Sequence, residues 1–211
     1  MHLPKFLIDR YRDWKANNFL LEKTLYKTLE SNGQKPKAMI ISCCDSRVDP
    51  CQIFAAKPGD FFIHRNVANI IPKYNLSNKN HEIISSIEYA ILTLRVARII
   101  ILGHSSCGGI DYAFKKFSGK NSDKNVSSID NWIQSVNSAY EKVNKNQTKV
   151  NTIKSLEKQN ILNSIKNLKN YDKIDKLVLE NKLQIHGLYF EINTGELSEY
   201  NESTKKFELI Y

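Results

Sequence analysis

The sequence predicts an α/β fold: a central, mostly parallel β-sheet flanked by helices, with an N-terminal helical arm. Three observations predict it. Short apolar runs at residues 38–41, 61–63 and 96–102 alternate with stretches of helical periodicity, which is the pattern of crossover-connected parallel strands. The chain has 211 residues, of which 41% are hydrophobic, enough for one substantial core. Within the first thirty residues, Tyr11, Trp14, Phe19, Leu20, Leu25, Tyr26 and Leu29 recur at near-helical spacing among charged positions.

The elements follow in order. The arm covers residues 1–30, and Ser31-Asn32-Gly33 stops it. The remainder, 31–211, is read as one α/β domain, so the chain is a single domain overall. Residues 38–41 form a first buried strand, a short helix begins near Pro50, and Lys57-Pro58-Gly59-Asp60 turns the chain into a second strand at 61–63. Ile83, Ile84, Ile87, Ala90, Ile91 and Leu94 share one apolar helical face. A third strand, 96–102, ends at Gly103, and Gly108-Gly109 precede a helix at 110–117. Helices are expected at 127–143, 159–168 and 171–181. A last strand at 183–191 then turns through Asn193-Thr194-Gly195-Glu196 into 197–200.

Composition narrows the function classes. Four cysteines are too few for a disulfide scaffold, so clustered Cys and His point to metal binding or catalysis in a reducing compartment. No apolar run is long enough to cross a bilayer. The charged N-terminus lacks the apolar core of a signal peptide, and a cytoplasmic location is expected. The net charge of +9 raises nucleic-acid binding as a candidate. A basic stripe with interleaved aromatics is absent, however, and the lysines are dispersed among Asn, Asp and Glu. We therefore expect no nucleic-acid and no membrane partner. The basic surface favours approach of a small anion.

Two segments carry the chemistry: Cys43-Cys44-Asp45-Ser46-Arg47 and His104-Ser105-Ser106-Cys107-Gly108-Gly109. Each directly follows an apolar run, at the carboxyl end of an expected parallel strand, where α/β sheets place their ligands. Cys43, His104 and Cys107 offer two thiolates and an imidazole, a donor set that suits one Zn2+ per chain. Three protein ligands leave a fourth position open, as in catalytic zinc sites. A closed structural site needs a fourth soft ligand, and Cys44 is the nearby candidate. Strand alternation would turn Cys44 away from the metal and bring Asp45 and Arg47 onto the side of Cys43. A bidentate Arg47–Asp45 pair keeps the carboxylate ionised and accepting.

These segments, with His64-Arg65-Asn66-Val67-Ala68-Asn69, Ile87-Glu88-Tyr89-Ala90 and residues 183–195, resemble the β-class carbonic anhydrases across nearly the whole chain. The resemblance implies reversible hydration of carbon dioxide to bicarbonate and a proton, by attack of zinc-bound hydroxide. It makes Cys43, His104 and Cys107 the metal ligands and Asp45 and Arg47 the catalytic pair. Gln34, Phe62, Val67 and Tyr89 match substrate-cleft positions of the plant-like group. A second group carries a tryptophan, an arginine and a tyrosine that form an inhibitory bicarbonate site. Ile40 stands at the tryptophan position, Arg65 at the arginine, and Tyr189 or Phe190 in the strand of the tyrosine, so that set is incomplete. The plant-like subtype, without bicarbonate inhibition, is the expectation. The resemblance also implies a homodimer or homotetramer in which residues 1–30 wrap a partner. Rival readings are a carbonyl sulfide or carbon disulfide hydrolase on the same scaffold, and a non-catalytic zinc or redox-sensing module using Cys43, Cys44 and Cys107. His64 is read as structural in preference to a proton shuttle. Glu88 is read as a buried structural carboxylate paired with a basic residue.

Overall fold

The computed structural model describes residues 2–73, 82–119 and 127–211. Strands β1 (Ala38–Cys43), β2 (Phe61–Asn66), β3 (Arg98–His104), β4 (Gln184–Phe190), β5 (Leu197–Asn201) and β6 (Lys206–Leu209) form one sheet in the order β2-β1-β3-β4-β5-β6. The pairings from β2 through β4 are parallel, whereas β5 and β6 are added antiparallel. All six residues of β1 are buried. Such burial is expected of a central parallel strand covered on both faces, and it explains why β1 reads as an unbroken apolar run. The chain leaves β1 for β2 on one side and returns to β3 on the other. The reversal opens a crevice at the carboxyl ends of β1 and β3.

One sheet face packs Met39, Ile41, Ile99 and Ile101 against helices α4 (Glu82–Glu88), with its π-helical continuation Tyr89–Thr93, and α8 (Lys149–Lys169). The opposite face packs Ile40, Leu102 and Leu188 with Val48 and, beyond the short α3 (Pro50–Ile53), Phe54. Helix α3 starts as its residues direct: Asp49 accepts the Cys51 N–H and Pro50 occupies the first turn. The close approach of α8 depends on two glycines in the sheet. A Cβ at Gly103 would lie 2.7 Å from Ile161, and one at Gly187 would lie 2.8 Å from Ile165.

Helix α8 also carries a buried polar stripe. Asn160 Nδ2 donates to the Ala68 carbonyl (2.8 Å), Ser164 Oγ to that of Asn69 (3.2 Å) and Asn167 Nδ2 to that of Ile71 (2.8 Å). These positions lie on one helical face, and they satisfy the backbone of the irregular segment after β2. Asn66 closes the same segment by pairing with both backbone groups of Ile70. Ala68 and Asn69 sit there with positive φ of 64° and 46°.

The arm is helical, as expected: α1 (Lys5–Trp14), a π-helical turn (Lys15–Phe19) and α2 (Leu20–Asn32), ending at Gly33 with φ 72°. None of its residues is buried. Trp14, Phe19 and Tyr26 cluster with ring centroids 5.2–6.1 Å apart.

Three elements differ from expectation. Helix α8 begins at Lys149 rather than 159, capped by Thr148, because Ile153 and Leu156 of its first turns pack against the distant Ile110, Phe114 and Ile133. The expected helix at 127–143 is broken into α6 (Ser128–Ile133), a 3-10 turn (Gln134–Val136) and α7 (Asn137–Tyr140). Asn163 of α8 donates to the Ser135 carbonyl there, competing with the helical ladder. Strand β6 is short and alternates Lys206 and Glu208 with apolar residues, as edge strands do. Helix α5 (Gly108–Phe117) and α9 (Asp172–Leu179) complete the fold close to their expected places.

The close packing at Gly103 is testable. Gly103→Ala is expected to destabilise the protein by about 1–3 kcal/mol through overpacking against Ile161. Ile161→Val in the same chain should recover part of the loss. Urea-unfolding midpoints of the single and double variants decide this.

Candidate metal centre

Register brings the two motif segments together. β1 pairs with β3 from Met39–Ile99 to Ser42–Leu102, so Cys43 at the end of β1 stands beside the end of β3, where His104 is the last residue. The chain then turns back over the sheet, and Cys107 caps the N-terminus of α5. The ligating atoms of Cys43, His104 and Cys107 all lie within 4.8 Å of one another, and all three residues are buried.

The donor chemistry fits zinc. The two sulfurs are 3.9 Å apart. Two thiolates on a tetrahedral zinc with bonds of ~2.3 Å stand about 3.8 Å apart. His104 Nδ1 donates to the Ser105 carbonyl at 2.9 Å, since a carbonyl can only accept. That bond fixes the tautomer and leaves Nε2 with a free lone pair. Nε2 is buried and engages no hydrogen-bond partner in good geometry. Backbone amides favour the ionised form of each sulfur: those of Asp45 and Ala68 for Cys43, and those of Gly109 and Ile110 for Cys107. The two thiols are joined by a hydrogen bond. The hydrogen bond from Cys107 holds Cys43 down to about 4 against the effect of burial. The same bond, with burial, pushes Cys107 up. For His104, burial opposes protonation, but the Cys43 sulfur, the Ser105 carbonyl and the Asp45 carboxylate outweigh it and raise its pKa.

Asp45 faces this cluster, with Oδ2 3.9 Å from His104 Nε2. Arg47 grips it in a fork: Nε donates to Oδ1 at 2.9 Å and a terminal nitrogen donates to Oδ2 at 2.7 Å. The Arg47 amide adds a third bond to Oδ1 at 3.0 Å. These bonds hold the Asp45 carboxyl well below the usual carboxylate range. The guanidinium also donates to the Ser106 carbonyl at 3.0 Å and so ties the two motif segments together. Their placement does not come from strand alternation. β1 ends at Cys43, and residues 45–48 form a turn closed by the Val48 N–H on the Asp45 carbonyl. The turn leaves Cys44 exposed and brings Asp45 back over the cluster.

Arg65 holds that turn from below, donating to the carbonyls of Cys43 (2.9 Å), Asp45 (2.8 Å) and Val48 (2.8 Å). Among the other expected positions, the rings of Phe62 and Tyr89 meet at a tilt of 39° with centroids 5.7 Å apart. Val67 is 36% exposed and packs beside Gly109, close to Cys107. Gln34 is exposed on the turn after α2. His64 meets Ser86 of α4 at 3.2 Å, and Glu88 pairs with Lys173 at 2.9 Å while remaining partly exposed. One residue was missed in the sequence. Glu157 of α8 is buried beneath the centre and accepts the Cys107 amide at 2.9 Å and the Tyr189 hydroxyl at 2.8 Å. It falls before the expected start of its helix, so no local signal marked it.

Comparison with known proteins agrees with this geometry. The family model for carbonic anhydrase matches residues 38–197. A carbonic anhydrase of Helicobacter pylori (strain J99) is 32% identical over 202 residues, covering 94% of this chain and 90% of that protein. Beta carbonic anhydrase 3 of Arabidopsis thaliana is 32% identical over 185 residues, covering 86% of this chain and 70% of that protein. Among solved structures, the β-carbonic anhydrase CcaA superposes with a TM-score of 0.90 at 30% identity, covering 98% of both chains. A tetrameric β-carbonic anhydrase of Sordaria macrospora gives a TM-score of 0.77 at 26% identity, covering 92% of this chain and 94% of that one. With a buried Cys-His-Cys donor set at the sheet's switch point and this likeness along almost its entire length, the chain belongs to the β class of the carbonic anhydrase family.

Proposed function

We propose that this protein is a zinc enzyme that interconverts carbon dioxide and water with bicarbonate and a proton. The observation that carries the reading is the buried Cys43, His104 and Cys107 cluster with an arginine-forked Asp45 facing it. When bound, zinc supplies Lewis acidity that brings the pKa of a coordinated water toward neutrality. Asp45, ionised and with both oxygens oriented by Arg47, acts as a fixed hydrogen-bond acceptor beside the metal position. A fixed acceptor holds a nucleophile's proton on one side and its lone pair on the other, so attack is aimed. Arg47 is the catalytic partner that keeps this carboxylate from turning.

Phe62, Val67 and Tyr89 supply apolar surface for uncharged carbon dioxide, and Gln34 supplies an amide for bicarbonate. Exposure of Val67 and Tyr89, at 36% and 46%, supports a cleft formed at the surface. Zinc-loaded protein is expected to accelerate carbon dioxide hydration in a stopped-flow indicator assay; a rate equal to the buffer blank would refute the reading. Asp45→Asn should lower turnover by about 100-fold or more while bound zinc, measured by elemental analysis, stays stoichiometric.

The plant-like subtype is part of the proposal. Ile40 is buried in the sheet core, the Arg65 guanidinium is engaged by three backbone carbonyls, and the Tyr189 hydroxyl is engaged by Glu157. These engagements support a chain without the inhibitory bicarbonate site. Initial rates should therefore fall hyperbolically as bicarbonate is added, and sigmoidal inhibition would count against the subtype.

We further assign residues 1–30 as an arm and 31–211 as the catalytic domain, in a cytoplasmic homodimer or homotetramer. Free Cys44 and Cys51 on the surface support a reducing compartment. The arm exposes Phe6, Tyr11 and Leu21, the last at 87%, which supports a partner copy as their cover. Light scattering should give at least a dimer for the full chain and a smaller species after deletion of 1–30. A monomeric full chain would overturn the assignment.

A further inference from the structure

Glu157 is a carboxylate with no catalytic assignment, buried to 4% exposure in the middle of α8. It stands at the head of the helix's buried polar stripe, one turn before Asn160 and two before Ser164, whose side chains likewise serve backbone groups. Each carboxylate oxygen meets one donor: Oε1 the backbone N–H of Cys107, and Oε2 the hydroxyl of Tyr189. No ion pair to Glu157 is formed among the described residues.

The peptide that Glu157 holds is the one from which the Cys107 sulfur is aimed. Cys107 caps α5, and its N–H precedes the helical ladder and needs an outside acceptor. The Cys107 carbonyl accepts the Asp111 N–H at 2.9 Å. The backbone of this one residue is thus held at both its N–H and its carbonyl, and among the described residues the backbone bond from outside the loop and α5 comes from Glu157, while the sulfur meets that of Cys43. The preceding residue, Ser106, has a positive φ of 55°, a conformation that residues with a Cβ seldom adopt and that the surrounding structure must hold. Tyr189 in turn anchors the acid to β4, and Lys158 lies 4.9 Å over the Tyr189 ring.

We propose that Glu157 is a positioning residue for the metal centre: by holding the Cys107 amide it sets the direction of the Cys107 sulfur and so the tightness of metal binding. The proposal rests on Cys107 being a metal ligand. Hydrogen-bonded partners of metal ligands typically contribute about 10–100-fold in metal affinity. Glu157→Leu removes the acceptor and Glu157→Asp withdraws it by one methylene, and each should weaken zinc binding by about that factor. Glu157→Gln keeps an oxygen for the Cys107 N–H and should remain within a few-fold of the parent.

The test is competition of each apo-protein with a chromophoric chelator for zinc, together with the absorption spectrum of the cobalt-substituted protein. The Leu and Asp variants should shift the thiolate-to-cobalt charge-transfer bands, and the Gln variant should restore them. Asn167→Ala, on the same helix but bonded to the Ile71 carbonyl, is the control: it should lower thermal stability and leave affinity and bands unchanged. If the Leu variant does not fold, the Asp variant decides alone. Parental zinc affinity and unaltered cobalt bands in the folded Leu or Asp variant would overturn the proposal. So would changes no larger than those of Asn167→Ala. Because both readouts are taken without substrate, an absence of carbon dioxide hydration would refute the functional reading and leave this one standing.

Discussion

The parallel pairing of β1 with β3 is the constraint on which the rest of this structure depends. Adjacent parallel strands end on the same side of a sheet, and ladder spacing holds their last residues a few ångströms apart. The register from Met39–Ile99 to Ser42–Leu102 therefore delivers Cys43 beside His104 without any contribution from the two motifs. A one-residue slip would turn each strand's side chains to the opposite face and separate the donors. Burial of β1 on both faces excludes such a slip, because all six of its residues, Ser42 included, fill a close-packed interior.

Helix α8 converts that strand geometry into a site. Gly103 and Gly187 let it approach the sheet, and its polar stripe then takes up the backbone of the irregular segments around the centre. The irregularity is needed, since loops that fold back over a metal cannot satisfy their own N–H and C=O groups. Buried backbone left unpaired would cost about 1–3 kcal/mol per group. Asparagine and serine side chains at helical spacing remove that cost. Residues such as Asn160 and Asn167 look like solvated polar sequence and instead are almost wholly buried.

Charge is organised on two scales. Most lysines are surface groups, and pairs such as Lys154–Glu191 and Lys169–Glu202 are exposed and contribute little to stability. At the centre two arginines divide the labour. Arg65 directs its donors at three backbone carbonyls and shapes the turn, whereas Arg47 directs its own at the Asp45 carboxylate and the Ser106 carbonyl. The resemblance alone left Arg65 open to an anion-binding role. In the structure its guanidinium donates to the carbonyls of Cys43, Asp45 and Val48.

What the sequence determined by itself was the set of donors and the order of the layers. Cys43, His104, Cys107, Asp45 and Arg47 stand in short segments after apolar runs, and both signals are local: chemistry comes from residue type, and strand burial from an unbroken apolar stretch. The start of α8, the break after α6 and strand β6 were not legible, because each is decided by partners far along the chain. Asn163 interrupting the 127–143 region is one such partner. The turn at 45–48 belongs to the same group. Alternation predicted the right side for Asp45 by the wrong route, since β1 ends at Cys43 and Arg65 then curls the chain. The role of Glu157 was decided wholly by tertiary structure. A glutamate in a polar helical stretch carries no mark of burial, and only the packing of α8 against β3 and β4 places it against the amide of Cys107, fifty residues away.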